Sequence, residues 1–307
     1  MKAYVPFEIT DDMVISSSIA EPDASEPEWS SAVTYVEGNS VSVIDTNSHL
    51  VYEALANVTA NLNKPPATSP TFWIEKSKTN KFRMFDYNQG NPSVAQSPLT
   101  VVLRPGKRID AITLDLKAAE VDIAVKDGID GDDVFTLYGY LLERNVTSFY
   151  EFFFAPFIYR KLVTTFQVPP VADPVIYLTL TDPSGVVEVD GFAVGLSTYL
   201  GAVQDTGPIA DTDNYSEITT DDFGKTTFNP VPSVPKAELT LFAKANKTEL
   251  IRQFKRESEA KIAVWSGLDD IENPYTQSLV LFGFHRSFPI DLSDRNIVVV
   301  RLSLKGV

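Results

Sequence analysis

The chain contains no cysteine and only two histidines in 307 residues. The first absence excludes a disulfide framework, a thiolate metal site and a cysteine nucleophile. The two histidines, His49 and His285, are far apart and outside any H-E-x-x-H spacing, so each reads as a strand or turn residue rather than a ligand. Basic residues are scarce too: 26 Lys and Arg face 41 Asp and Glu, for a net charge of −15. A nucleic-acid binder ordinarily presents a basic face, so nucleic acid is not expected as a partner, and neither is an anionic lipid surface. Long apolar runs are missing. The richest one, 149–163, is broken by Glu151, Pro156, Arg160 and Lys161. It is too short and too interrupted to span a bilayer, and no membrane insertion is expected. Met1-Lys2-Ala3-Tyr4 leads almost directly into Val5-Pro6-Phe7 with no apolar core of a signal peptide, which predicts synthesis in a cytoplasm. Without a secretory signal, the four Asn-x-Ser/Thr matches at Asn57, Asn145, Asn214 and Asn246 read as chance. No nucleophile elbow, phosphate-binding loop or dinucleotide fingerprint occurs, and we expect no enzyme. Carboxylate pairs such as Asp221-Asp222 and Asp269-Asp270 are ordinary in so acidic a chain.

What is present is apolar and aromatic material in short strand-like runs. Hydrophobic residues make up 44% and aromatics 11%, enough for packed cores and too much for bulk disorder. The length suggests two or three domains. We expect a mainly β protein in six parts. Residues 1–27 read as a strand and a hinge, the hinge being the acid- and proline-rich 20–27. Residues 28–75 form a small β module, 76–98 a seam segment, 99–200 a β-sandwich, 201–235 an extended arm, and 236–307 a small α+β unit.

In the 28–75 module, Val41 and Val43 alternate with polar residues, as do Leu50, Tyr52 and Ala54, around a turn at 45–48. That is a hairpin pattern. The order W…Y-x-x-G-x-x-V…Y-x-A…P…W, with Trp29, Tyr35, Gly38, Val41, Tyr52, Ala54 and Trp73, resembles the small chitin-binding modules attached to bacterial glycoside hydrolases. The resemblance implies that Trp29, Tyr35, Tyr52 and Trp73 stack on sugar rings, with a host-surface glycan as partner. A module of this size also needs every large side chain for its core, and that reading stands beside the first.

From Leu99 the period is two. Ile112, Leu114 and Leu116 alternate with Thr113, Asp115 and Lys117, and Val121, Ile123 and Val125 with Asp122 and Lys126. One polar face marks antiparallel, half-buried strands. Further strands are expected at 134–142, 149–154, 175–180 and 186–194, which together suggest a galactose-binding-type jelly roll. Between two of them, Asp127, Asp130, Asp132 and Asp133 are interleaved with Gly128 and Gly131. Four carboxylates would suit Ca²⁺, although the spacing is not that of an EF-hand; Asp-Gly pairs also make plain hairpin turns. No other cofactor is expected.

The arm follows. From Gly201 the pattern dissolves into Gly, Pro, Asp and Thr, yet 211–229 carries Tyr215, Ile218, Phe223 and Phe228. Disordered linkers are poor in aromatics, so we expect an arm that packs on its own surface or a neighbour's. Tyr-Leu-Gly at 199–201, Asn-Tyr-Ser at 214–216 and Asp-Asp-Phe-Gly-Lys-Thr-Thr at 221–227 resemble the connecting segment of minor tail proteins of long-tailed bacteriophages and prophages. That family shows a DYS…D-x-F-G-N-T pattern; here Asn214 replaces its Asp and Lys225 its Asn. Leu281-Phe-Gly-Phe-His285 is similar to the family's YGFYKDF strand, and 79–86 to its TN-x-W-x-M-F-D segment. The resemblance implies a virion component at the tail tip or baseplate, a homo-oligomer that contacts other tail proteins. A glycan-binding adhesin is one alternative and a carbohydrate-active enzyme another.

In the last part, 237–243 reads as a strand. Asn246-Lys-Thr-Glu249 offers a capping-box variant for a helix to about Ser258 whose apolar face is Leu250, Ile251 and Phe254. Strands at 262–265, 278–284 and 298–304 complete a small sheet whose edges are places for subunits to join.

Overall fold

The computed structural model describes residues 1–45, 48–55, 63–87, 90–144, 146–204, 208–220, 222–231, 233–267 and 276–307. Of the residues singled out above, Asn57, Asn145, Asp221, Asp269 and Asp270 lie outside the described ones, as does the tip of the 45–48 turn. The protein is mainly β, in several antiparallel sheets. It divides into two compact units: Met1–Pro6 with Thr164–Phe166 and Gly195–Val307, and Phe7–Val163 with Gln167–Val194.

The second unit is a β-sandwich. One sheet runs in the order Asp133–Tyr140, Glu120–Asp127, Pro174–Thr181, Leu99–Leu103, Val14–Ser17; the other runs Leu162–Thr165, Ala111–Lys117, Val186–Gly195, Ser93–Gln96. The period-two residues meet in one core: Val121, Ile123 and Val125 from the first sheet, Ile112, Leu114 and Leu116 from the second, with Leu178, Val189 and Phe192. Each such side chain taken fully out of water stabilises the fold by about 1.5–3 kcal/mol.

Residues 149–154, expected as a strand, are a helix. The Ser148 hydroxyl accepts from the Glu151 amide at 3.2 Å, and the Glu151 carboxylate accepts from the Ser148 amide at 3.0 Å, a reciprocal cap. The five aromatics of Phe149–Phe154 also leave no polar alternation for a strand to use.

The same unit carries the small module, a sheet of Ser40–Asp45, Ser48–Ala54 and Trp73–Lys78 with Val41 opposite Tyr52 and Val43 opposite Leu50. The segment 20–27, read as a hinge with little to bury, is tied down by its acids. Glu21 takes His49, Thr79 and Lys81; Asp23 takes Asn80; Glu26 takes Arg83. Thus Thr79-Asn80-Lys81-Phe82-Arg83 supplies the polar partners that the acidic segment lacks.

The first unit is built on a nine-stranded sheet. Its main path is Thr198–Tyr199, Lys2–Tyr4, Ala263–Ser266, Val280–Ser287, Ile297–Gly306, Val234–Lys244, Ala202–Val203; Ile209–Asp213 also pairs with Val234–Lys244, and Ile290–Asp291 with Ile297–Gly306. Gly283 sits where the sheet allows no side chain: a Cβ there would meet Lys305 O at 2.0 Å. Helix Thr248–Glu257 buries Ile251 and Phe254, the latter edge-on to Trp265 at 5.5 Å. The expected Asn246 cap is absent. Ala245–Lys247 form a 3-10 turn, so the backbone at Lys247 is already helical when the helix starts, and Thr248 Oγ1 donates back to Ala245 O at 2.6 Å.

Candidate functional site: an exposed hairpin arm

The arm begins as sheet. Ala202–Val203 and Ile209–Asp213 pair with Val234–Lys244. Asp213 ends this ladder in a knot of cations: Lys236 at 3.1 Å, Arg286 at 3.7 Å and Lys305 at 3.7 Å. The hydrogen bond from Lys236 holds the Asp213 carboxyl below the usual carboxylate range, with the charges of Lys236, Lys305 and Arg286 adding to it. Lys305 also sits over the Tyr215 ring, 4.6 Å from its centroid, and donates to its hydroxyl. Tyr215 therefore belongs to the anchor of the arm.

Beyond that anchor, Ser216 closes a neck: its hydroxyl donates to Val231 O at 3.2 Å and accepts from Val231 N at 3.0 Å. Glu217–Thr220 and Thr226–Asn229 then form a two-stranded antiparallel sheet. The segment that showed no strand period is a hairpin because β-branched Thr and Ile favour extended backbone on both faces. Gly224, at φ +78°, supplies its turn. Every residue of both strands is exposed. Ile218 and Phe228 lie directly opposite each other and so share a face; Phe223, at the turn, is 96% exposed. A lone two-stranded hairpin is marginal in water, and this one holds apolar side chains in solvent.

The four module aromatics are gathered in one place, and it is a core. Trp73 and Tyr52 are 2% and 8% exposed, and Trp29 and Tyr35 pack against them. Tyr35 meets Trp73 edge-on at 5.2 Å, and Trp73 Nε1 donates to Lys64 O at 2.9 Å. Trp73 and Tyr52 offer no face to a sugar, whereas Trp29 and Tyr35 are only partly buried. The Trp29 indole nitrogen is enclosed without a hydrogen-bond acceptor.

Asp127, Asp130, Asp132 and Asp133 stand exposed around the turn that joins Glu120–Asp127 to Asp133–Tyr140. Asp127 accepts from the Asp173 amide at 3.2 Å, and Asp133 lies 3.6 Å from Lys126. Among the described residues no group of three or more His, Asp or Glu is arranged to hold a metal ion.

Two features escaped the sequence. Asp115 and Asp190 sit on strands of one sheet with Lys161 near both. Burial, and then the neighbouring Asp190, pushes the Asp115 carboxyl up to about 6 against the pull of Lys161. Burial raises Asp190 as well, and one of its oxygens has no hydrogen-bond partner. Alternation had made Asp115 an ordinary outward residue. The second feature is the aromatic helix Phe149–Phe154, whose rings stand in solvent.

No protein-family model matches the chain, and no curated protein matches it significantly.

Proposed function

We propose that the chain is a structural subunit of the tail tip or baseplate of a long-tailed bacteriophage, fastened to neighbouring subunits by its hairpin arm. The observation that carries this reading is the Glu217–Thr220 and Thr226–Asn229 hairpin, which exposes Ile218 and Phe228 on one face. Apolar hairpins of this kind are completed when another chain covers them. The kind of assembly comes from the resemblance of 199–201, 214–216, 221–227 and 281–285 to minor tail proteins. The sandwich and the small module then act as acidic β decoration. A glycan-binding role has less support, because two of the four rings that would stack on sugar, Tyr52 and Trp73, are buried and the other two pack against them.

Antibodies against the full chain test the placement. Labelling at the tail tip of intact virions is the expected result, and particles without label would overturn the reading. Light scattering and limited proteolysis test the fastening: a complex with itself or with co-expressed tail proteins should protect 208–231 from cleavage. A monomer whose arm is cut in every such mixture would remove the arm from the proposal.

A further inference from the structure

Among the described residues, the richest apolar surface lies on neither the arm nor the module. It is a finger projecting from the sandwich. Its stem is the short ladder of Leu142–Glu143 with Ile158–Tyr159, continued by the bond from Arg160 N to Leu141 O at 2.8 Å. Its tip is helix Phe149–Phe154. Phe149, Tyr150, Phe152, Phe153, Phe154 and Phe157 are between 55% and 82% exposed.

The finger is held open. Ser148 and Glu151 cap the helix reciprocally. Arg144 Nη1 donates to Phe152 O at 2.6 Å while its guanidinium lies 4.1 Å from the Phe157 ring centroid. These bonds fix the backbone without drawing the rings inward. The rings contact mainly one another, Phe149 with Phe153 at 5.1 Å and Tyr150 with Phe154 at 4.8 Å. At roughly 200 Å² per aromatic side chain, the exposed parts amount to about 800 Å². A soluble monomer's largest apolar patch is ordinarily about 300–600 Å².

Geometry and charge decide what covers it. At about 3.6 residues per turn, the five helix aromatics spread over more than half of the circumference, and Glu151 occupies the rest. A helix that docks on a protein groove presents one apolar stripe; rings spread this widely suit a medium that closes around them. The only acid on the helix, Glu151, is engaged by the Thr147 amide and hydroxyl and the Ser148 amide. The stem's charges are balanced: Arg160 stands 4.0 Å from Glu143, Lys161 faces Asp115 and Asp190, and Arg144 is engaged with Phe152 and Phe157. Aromatic rings beyond a polar stem of mixed charge match the boundary between zwitterionic lipid headgroups and acyl chains. A helix of six residues is about 9 Å long, within the depth of roughly 5–10 Å that interfacial segments reach. The interruptions that keep 149–163 from spanning a bilayer do not hinder shallow insertion.

We propose that this finger inserts into the surface of a phospholipid bilayer, with zwitterionic lipid preferred because the chain carries a net charge of −15. The inference does not rest on the tail-tip reading.

Flotation of the full-length protein with large unilamellar phosphatidylcholine vesicles tests it. The protein should float with the vesicles, and added phosphatidylglycerol should weaken the binding. A Phe152→Ser/Phe153→Ser variant should lose at least tenfold in partitioning with an unchanged melting temperature, since both rings lie outside the core. As a second readout, Phe154→Trp places an indole in solvent, and its emission should shift to the blue on adding phosphatidylcholine vesicles. Failure to float, or flotation indifferent to the double variant, overturns the proposal. So does self-association in the absence of lipid that the double variant abolishes, which would make a second copy of the chain the occupant.

Discussion

Glu21 holds His49: a Glu21 carboxylate oxygen lies 2.8 Å from His49 Nδ1, and the imidazole ring stacks on Phe82 with centroids 3.8 Å apart. Both side chains are nearly buried, and the same carboxylate takes Thr79 Oγ1 at 2.5 Å and Lys81 at 3.4 Å. The acidic 20–27 segment is thereby locked to the residues that follow the small module. Glu21→Ala would leave a buried imidazole and hydroxyl without their acceptor. Losing one partner of a buried hydrogen bond costs about 1–3 kcal/mol, and urea denaturation should show a loss of that size. Exposed Glu37→Ala, the control, should change stability by less than about 0.5 kcal/mol.

The small module offers a second test. If Trp73 is a core residue, Trp73→Ala should cost about 3–5 kcal/mol and unfold the 28–75 segment at a lower temperature than the rest of the chain. A sugar platform would behave in the opposite way, with intact stability and lost binding. Thermal melts and a glycan array on the same variant separate the two.

Where one face of an element is polar, its periodicity was readable. Ile112 to Leu116, Val121 to Val125 and Val298 to Leu304 are all strands. Where that contrast fails, so does the reading. Phe149–Phe154 has no polar alternation, and its helix depends on the reciprocal cap of Ser148 and Glu151, a spacing that the aromatic run masks. The hairpin of Glu217–Thr220 and Thr226–Asn229 buries neither face, so no apolar side marks it. The ties of Glu21, Asp23 and Glu26 run to partners 28 to 60 positions away, and nothing local announces them. At the arm, the aromatics were visible in the sequence; their exposure was not, because exposure is a property of the packed sheet.

Ile218→Ser with Phe228→Ser should separate assembly from folding. Both side chains are exposed, so the monomer should melt within about 0.5 kcal/mol of the wild type. Any complex seen by light scattering should dissociate at a concentration at least tenfold higher. A variant that assembles like the wild type would show that the hairpin face is not the contact.

The Asp115 carboxyl gives a pH dependence with a definite sign. Its value in the fold, about 6, lies above the ordinary 3.8. Between those values the folded protein keeps a proton that the unfolded chain has released. Its contribution to stability is therefore full below about pH 4, is lost as pH rises through 6, and stays lost above. Asp23, Asp173 and Asp291, whose hydrogen bonds lower them, act in the opposite direction and lose their contributions as pH falls. The wild-type profile mixes the two, so the informative quantity is the difference between Asp115→Asn and wild type. A shift of about two units corresponds to roughly 3 kcal/mol. Asp115→Asn should therefore be more stable than wild type by roughly 1–3 kcal/mol at pH 8 and nearly equal to it at pH 4. Denaturant melts at the two pH values check this, and an equal gain at both would place the effect in packing rather than in the charge beside Asp190.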